Sequence, residues 1–512
     1  MRTSTRGCRA GKQRTSQVVR AWLDQWSAPS GWLLGATLWC VQASLLGCAF
    51  GAHEPERNRD APATSWHYDV ELDDTLTQVH ARVCFRGVVP SELRAGKDEA
   101  AAHLKYARWL GPGAVRRLSV QRGRIQLLEG VRDGCVAYGV DLRETGSLDA
   151  AVRRVGRDVL ASPNVWLWRP ERRAKDALAT LAVKLPAKHS ALLPWPERDG
   201  VRVLDAEAFR FDSYAAFGRF EPIVGRVGEV EIEAAVVDGK LSVDREAVLG
   251  WLRSSVRAAS LSSGRFPRDR LSAIVVPTPA GADPVLFGMV ARGGAASVLL
   301  LVNKQATEAT LLSDWVLPHE LAHLLLPFVD RGQTWLSEGF ATYYQEVLLA
   351  RAGILSEQAA LSRIARSLRS ASAEDPGGSV IALRPEAQAT YDFRKIYWGG
   401  ASYWLNVDVE LRRRSSGHVT VDSVLAKLRD ADGERGVWTM RGVIERLDAI
   451  AGTSAFADVL EEASTEEFPP FESLLLKLGV RGAAAQIELD DAAELAGVRR
   501  AIFAAPRAPA PH

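Results

Sequence analysis

A chain of 512 residues, 47% of them hydrophobic and 25% charged, can bury a large core and should form two or three domains. Its formal net charge of +2 is unevenly placed, because Arg2, Arg6, Arg9, Lys12, Arg14 and Arg20 stand in the first 48 residues against Asp24 alone. The remainder is weakly acidic and has no basic block, which argues against a nucleic-acid partner.

In chain order, residues 1–48 read as an export signal. A basic stretch precedes the apolar run from Gly31 to Val41, which continues through Leu45, Leu46, Gly47 and Cys48. A retained membrane anchor is the alternative, although the run is marginal for a span of roughly 20 residues. Leu45-Leu46-Gly47-Cys48 resembles a bacterial lipobox, which would lipidate Cys48 and attach the chain to a membrane. Simple cleavage near Gly51 is the competing outcome. Either way the expected location is the bacterial cell envelope or periplasm, or the exterior. Two cysteines survive such processing, Cys84 and Cys135, both in strand-like segments. They can pair in an oxidising compartment or remain as buried thiols.

Residues 49–65 are polar and proline-bearing, a linker. Residues 66–225 alternate apolar and polar side chains in short runs such as Tyr68–Leu72, Thr77–Val83 and Thr180–Leu185, punctuated by Gly and Pro. This pattern predicts a β-rich, sandwich-like domain. A helical insert is expected at Ser147–Val159. From about 226 the pattern changes. Strands are expected at Glu229–Val236, Leu271–Val276 and Ser297–Val302, with an amphipathic helix from Asp244. Helical periodicity then dominates. The expected organisation is α+β and multidomain, with a catalytic domain over 226–405, a helical domain over 406–503 and a disordered Ala/Pro tail over 504–512.

Chemistry concentrates at Pro318-His319-Glu320-Leu321-Ala322-His323, an H-E-x-x-H sequence. Residues four apart share a helix face, so both imidazoles can reach one zinc ion, while Glu320 reaches a water at the metal instead of the metal itself. A catalytic zinc needs a third protein ligand and one open position. Glu338, in Trp335-Leu336-Ser337-Glu338-Gly339-Phe340-Ala341, is the candidate. A structural zinc module would need a fourth ligand, and no cysteine or histidine lies nearby.

W-L-x-E-G-F-A after H-E-L-A-H resembles the gluzincin zinc metallopeptidases, in particular the aminopeptidase N and glycyl aminopeptidase families. The resemblance implies a thermolysin-like catalytic domain, Zn2+ as cofactor, a peptide or protein as substrate, and Glu338 as third ligand with Glu320 as general base. Downstream, Tyr397-Trp398-Gly399-Gly400-Ala401 is similar to the Y-x-K-G-A segment of these families, and Asp408-Val409-Glu410-Leu411-Arg412 to a following D-x-E-[LI]-R stretch. By that resemblance Tyr397 stabilises the oxyanion. A core aromatic role is the alternative for Tyr397, and Tyr343, Tyr344, Tyr391 and Tyr403 compete for its place.

The chain departs from the pattern in four ways. Only 14 residues separate His323 from Glu338. Pro318 and Pro327 limit the helix of the first motif to as little as 318–326. Gly399 replaces the family lysine. The edge strand on which aminopeptidases carry a glutamate for the substrate's free amine reads Phe287-Gly288-Met289-Val290-Ala291-Arg292, with no acid, so aminopeptidase and endopeptidase action both stay open. The alternative function is an inactive gluzincin-like envelope protein that binds peptides or protein partners.

Overall fold

The computed structural model describes residues 65–111, 114–128, 130–143, 152–171, 178–330, 333–373, 393–432, 436–483 and 486–505. The export signal, Cys48, most of the linker and most of the Ala/Pro tail lie outside these residues. None of the described helices is long and apolar enough to cross a membrane. The described chain packs into two compact units: one of residues 65–245 and 268–306, the other of 246–267 and 307–505.

The first unit is built on strands, and alternation in the sequence explains why. In Ser65–Leu72 the side chains of Trp66, Tyr68, Val70 and Leu72 are buried, whereas His67, Asp69 and Glu71 face outward. Gln78–Val88 repeats the pattern with Val79, Ala81, Val83 and Phe85. These strands pair antiparallel inside an eight-stranded sheet, and two four-stranded sheets accompany it. Each fully buried Val, Leu or Phe contributes about 1.5–3 kcal/mol. The buried tyrosines keep their hydroxyls satisfied, Tyr68 donating to the Trp168 carbonyl (2.9 Å) and Tyr138 to that of Trp166 (3.0 Å). Cys84 and Cys135 face each other across adjacent strands and form a disulfide.

The helix expected at Ser147–Val159 is not formed over its described part. Val152–Val155 and Asp158–Ala161 make a hairpin instead. Val152, Val155 and Val159 are spaced three and four apart, as a helix would space them. However, Gly156 takes a left-handed φ of 58° and turns the chain back after four residues. The five-stranded sheet of this unit runs in the order Ile223–Val227, Val230–Val236, Arg270–Thr278, Ala296–Asn303, Val285–Ala291, with the three central strands parallel. Val285–Ala291 is therefore an edge strand, as expected.

The second unit is helical. Its main elements are α1 (Arg245–Ser263, within this unit from Glu246), α2 (Val316–Ala322), α3 (Thr334–Arg351), α4 (Glu357–Ser372), α5 (Phe393–Arg414) and α6 (Val421–Asp432). The 22 residues of α5 run without a break through position 405. Buried ion pairs tie the helices together. Asp408 on α5 accepts from Tyr343 (3.0 Å) and Arg412 (2.8 Å), and Asp422 on α6 accepts from Tyr344 (3.0 Å), Arg351 (2.9 Å) and Ser262 on α1 (2.9 Å). Charges this deeply buried persist because each is paired and hydrogen-bonded.

Candidate metal centre

Helix α2 starts two residues before Pro318, and the proline is accommodated because first-turn N–H groups have no partner within the helix. The α-helix ends at Ala322, so it is shorter than expected at its C-terminal side. His323 opens a 3-10 turn to Leu325. His323 keeps helical backbone angles (φ −53°, ψ −30°), which preserves the one-face relation to His319. Their rings stand edge to face, 4.9 Å between centroids.

Glu338, in the second turn of α3, meets both. Its Oε2 lies 3.2 Å from His319 Nε2 and 3.4 Å from His323 Nε2. One ligand atom from each of His319, His323 and Glu338 falls within 4.8 Å of the others. Ligands about 2.0–2.1 Å from a tetrahedral zinc stand about 3.3 Å from one another, so the spacing fits that ion. The connection from α2 to α3, short as it is, is pinned where Val329 bridges Trp438 and the Asp330 N–H donates to the Trp438 carbonyl (2.7 Å).

The other ring nitrogens are also engaged, which fixes ring orientation. His319 Nδ1 lies 2.9 Å from Gln345 Oε1, and His323 Nδ1 lies 3.1 Å from Ser337 Oγ. Burial opposes ionisation of Glu338, yet the charge of His323 and the hydrogen bond from His319 hold its carboxyl well below the usual range. Burial opposes protonation of His319, but its bond to Glu338 and the charge of Glu320 raise it above the ordinary histidine value. Two carboxylates thus make the site favourable to positive charge, a second property that suits a cation.

Glu320 is 9% exposed, directly after His319 on α2. Tyr397, on α5, lays its half-buried ring parallel to the His319 imidazole, with an interplanar angle of 3° and centroids 5.9 Å apart. The competing tyrosines are spent elsewhere. Tyr343 and Tyr344 donate to Asp408 and Asp422, and Tyr403 to the Phe456 carbonyl (3.1 Å). Tyr391 lies outside the described residues.

Three features of the site escape a motif-based reading. Gln345 is one; its signal is the spacing of seven from Glu338, two helical turns along the same face. The edge contact of Trp315 on His319 (5.7 Å) is another, with the spacing of four as its signal. The third is the approach of Gly339 to Gly400, which no local pattern announces.

A sequence model of the M61 glycyl aminopeptidase family matches residues 328–398, a segment that holds Glu338 and Tyr397. Aminopeptidase O of Rattus norvegicus is 32% identical over 123 residues, which span 23% of this chain and 14% of that protein. Among solved structures, an aminopeptidase N family protein of Idiomarina loihiensis superposes with a TM-score of 0.62 at 16% identity, over 81% of this chain and 78% of that one. An M1 zinc metallopeptidase of Deinococcus radiodurans gives 0.50 at 18% identity, over 80% and 95%. The chain has the aminopeptidase N fold. In that fold the β-rich amino-terminal region and the helical carboxy-terminal part both have counterparts. The chain is thus similar in fold to aminopeptidase N family structures, and over residues 328–398 similar in sequence to the glycyl aminopeptidases.

Proposed function

We propose that the chain is a zinc-dependent peptidase in which His319, His323 and Glu338 hold the metal, Glu320 is the general base and Tyr397 steadies the oxyanion. The observation that carries this reading is the meeting of Glu338 Oε2 with both imidazole Nε2 atoms, beside the buried Glu320. When bound, zinc supplies Lewis-acid polarisation of the scissile carbonyl and acidifies a water in its open position. Glu320 takes the proton of the attacking water and passes it to the leaving amine. Tyr397 donates from its hydroxyl to the oxygen on which negative charge develops. Gln345 and Ser337, at the opposite ring nitrogens, orient the two imidazoles so that their Nε2 atoms face Glu338.

Two further parts of the reading rest on the sequence. The basic and apolar pattern of residues 1–48 supports export to the cell envelope, with Cys48 as a lipid attachment point, and the Cys84–Cys135 disulfide suits an oxidising compartment. The edge strand Val285–Ala291 has no carboxylate to pair with a substrate ammonium, which supports endopeptidase action or a dedicated protein substrate over trimming from a free amino terminus.

A peptide-hydrolysis screen with zinc-loaded protein and its Glu320→Gln variant tests the reading. The variant should keep its zinc and lose at least about two orders of magnitude in rate. Undiminished hydrolysis would place the base elsewhere.

A further inference from the structure

A histidine can bind a metal through Nε2 only when its proton sits on Nδ1, and the group facing Nδ1 decides that. For His319 that group is an amide. Gln345 Oε1 stands 2.9 Å from Nδ1 and accepts its proton. An amide, unlike a carboxylate, has a wrong face. Turned over, it would present its NH2 group, which requires Nδ1 to accept and moves the ring proton to Nε2, the atom that faces Glu338. Something must therefore hold Gln345 the right way round.

Glu346 is placed to do so. Gln345 Nε2 donates to Glu346 Oε1 at 3.1 Å, so the NH2 end of the amide is drawn to Glu346 and the oxygen is left for His319. Both side chains are buried, at 4% and 2% exposure, so water has little access to compete for either end. The second Glu346 oxygen faces Arg363 of α4 at 3.6 Å, which anchors the carboxylate. We propose that Glu346 is a positioning residue that acts through Gln345 to keep His319 in its metal-binding tautomer. The proposal rests on the reading of His319 as a zinc ligand.

An exchange of the two side chains tests it, because Gln and Glu are nearly equal in shape and the variants should fold. Zinc affinity is measured by competition with a chromogenic chelator for the wild type, Glu346→Gln, Gln345→Glu and the double variant carrying both. In Glu346→Gln two amides face each other and neither orientation is enforced, so affinity should fall roughly tenfold or more. Gln345→Glu sets two buried carboxylates against each other and should also weaken binding. In the double variant the carboxylate at 345 has no wrong face and the amide at 346 donates to it, so affinity should return to within about threefold of the wild type. A double variant as weak as Glu346→Gln would overturn the proposal and leave Glu346 merely the partner of Arg363. A Glu346→Gln variant that binds like the wild type would overturn it equally. Wild-type protein that takes up no zinc would instead contradict the metal reading on which the proposal stands.

Discussion

Gly339 and Gly400 touch backbone to backbone where α3 crosses α5. A Cβ on Gly339 would stand 2.3 Å from the Gly400 Cα, and one on Gly400 only 2.1 Å from the Trp335 carbonyl oxygen. No side chain fits at either position. Glu338 precedes one glycine directly and Tyr397 comes three residues before the other, so this crossing joins the helices that carry the expected third ligand and the expected oxyanion donor. Trp404 reinforces it by donating from its indole N–H to the Leu336 carbonyl at 2.8 Å.

Gly400→Ala should therefore damage both stability and the site. The added methyl meets backbone, which cannot rotate away, and overpacking of this kind costs about 1–3 kcal/mol or more. Denaturant unfolding should show an earlier midpoint, and zinc affinity should fall with it. A variant as stable and as zinc-competent as the wild type would mean that the helices separate freely.

Tyr397→Phe isolates the hydroxyl. The ring against His319 is retained, so fold and zinc content should be unchanged. Loss of one oxyanion donor should lower kcat by roughly a hundredfold or more with little effect on KM. An unchanged kcat would remove Tyr397 from the reaction. Tyr343, Tyr344 and Tyr403 could not take its place without abandoning buried partners.

How far the site could be read in advance follows from the range of each interaction. The His319/His323 pair is written in one helical turn, and Glu338 in the local pattern around it. Gln345 lies two turns along the same helix and leaves a faint periodic trace. The Gly339–Gly400 contact joins residues far apart in sequence, and neither glycine differs locally from one that ends a helix. The hairpin at Val152–Ala161 was hidden for the opposite reason, since the spacing of its valines fits a helix as well as two four-residue strands. Pro318 suggested a later helix start than the one observed, because a proline in the first turn breaks no internal hydrogen bond.

Specificity should follow from the missing acid. A peptide and its N-acetylated form should be cleaved at comparable kcat/KM if, as proposed, no carboxylate of the strand Val285–Ala291 serves a substrate ammonium. Rapid cleavage of the free-amine peptide with none of the acetylated form would restore an aminopeptidase. It would also require another carboxylate, such as Asp283 or Glu308, to serve the amine.

The most direct measurement is the zinc content of purified protein, by elemental analysis, for the wild type and for the His319→Ala, His323→Ala double variant. The ligand geometry predicts one zinc per wild-type chain and almost none in the double variant at equal protein concentration, because Glu338 alone cannot hold the ion. Stoichiometric zinc retained by the double variant would contradict the assignment of the metal to His319, His323 and Glu338.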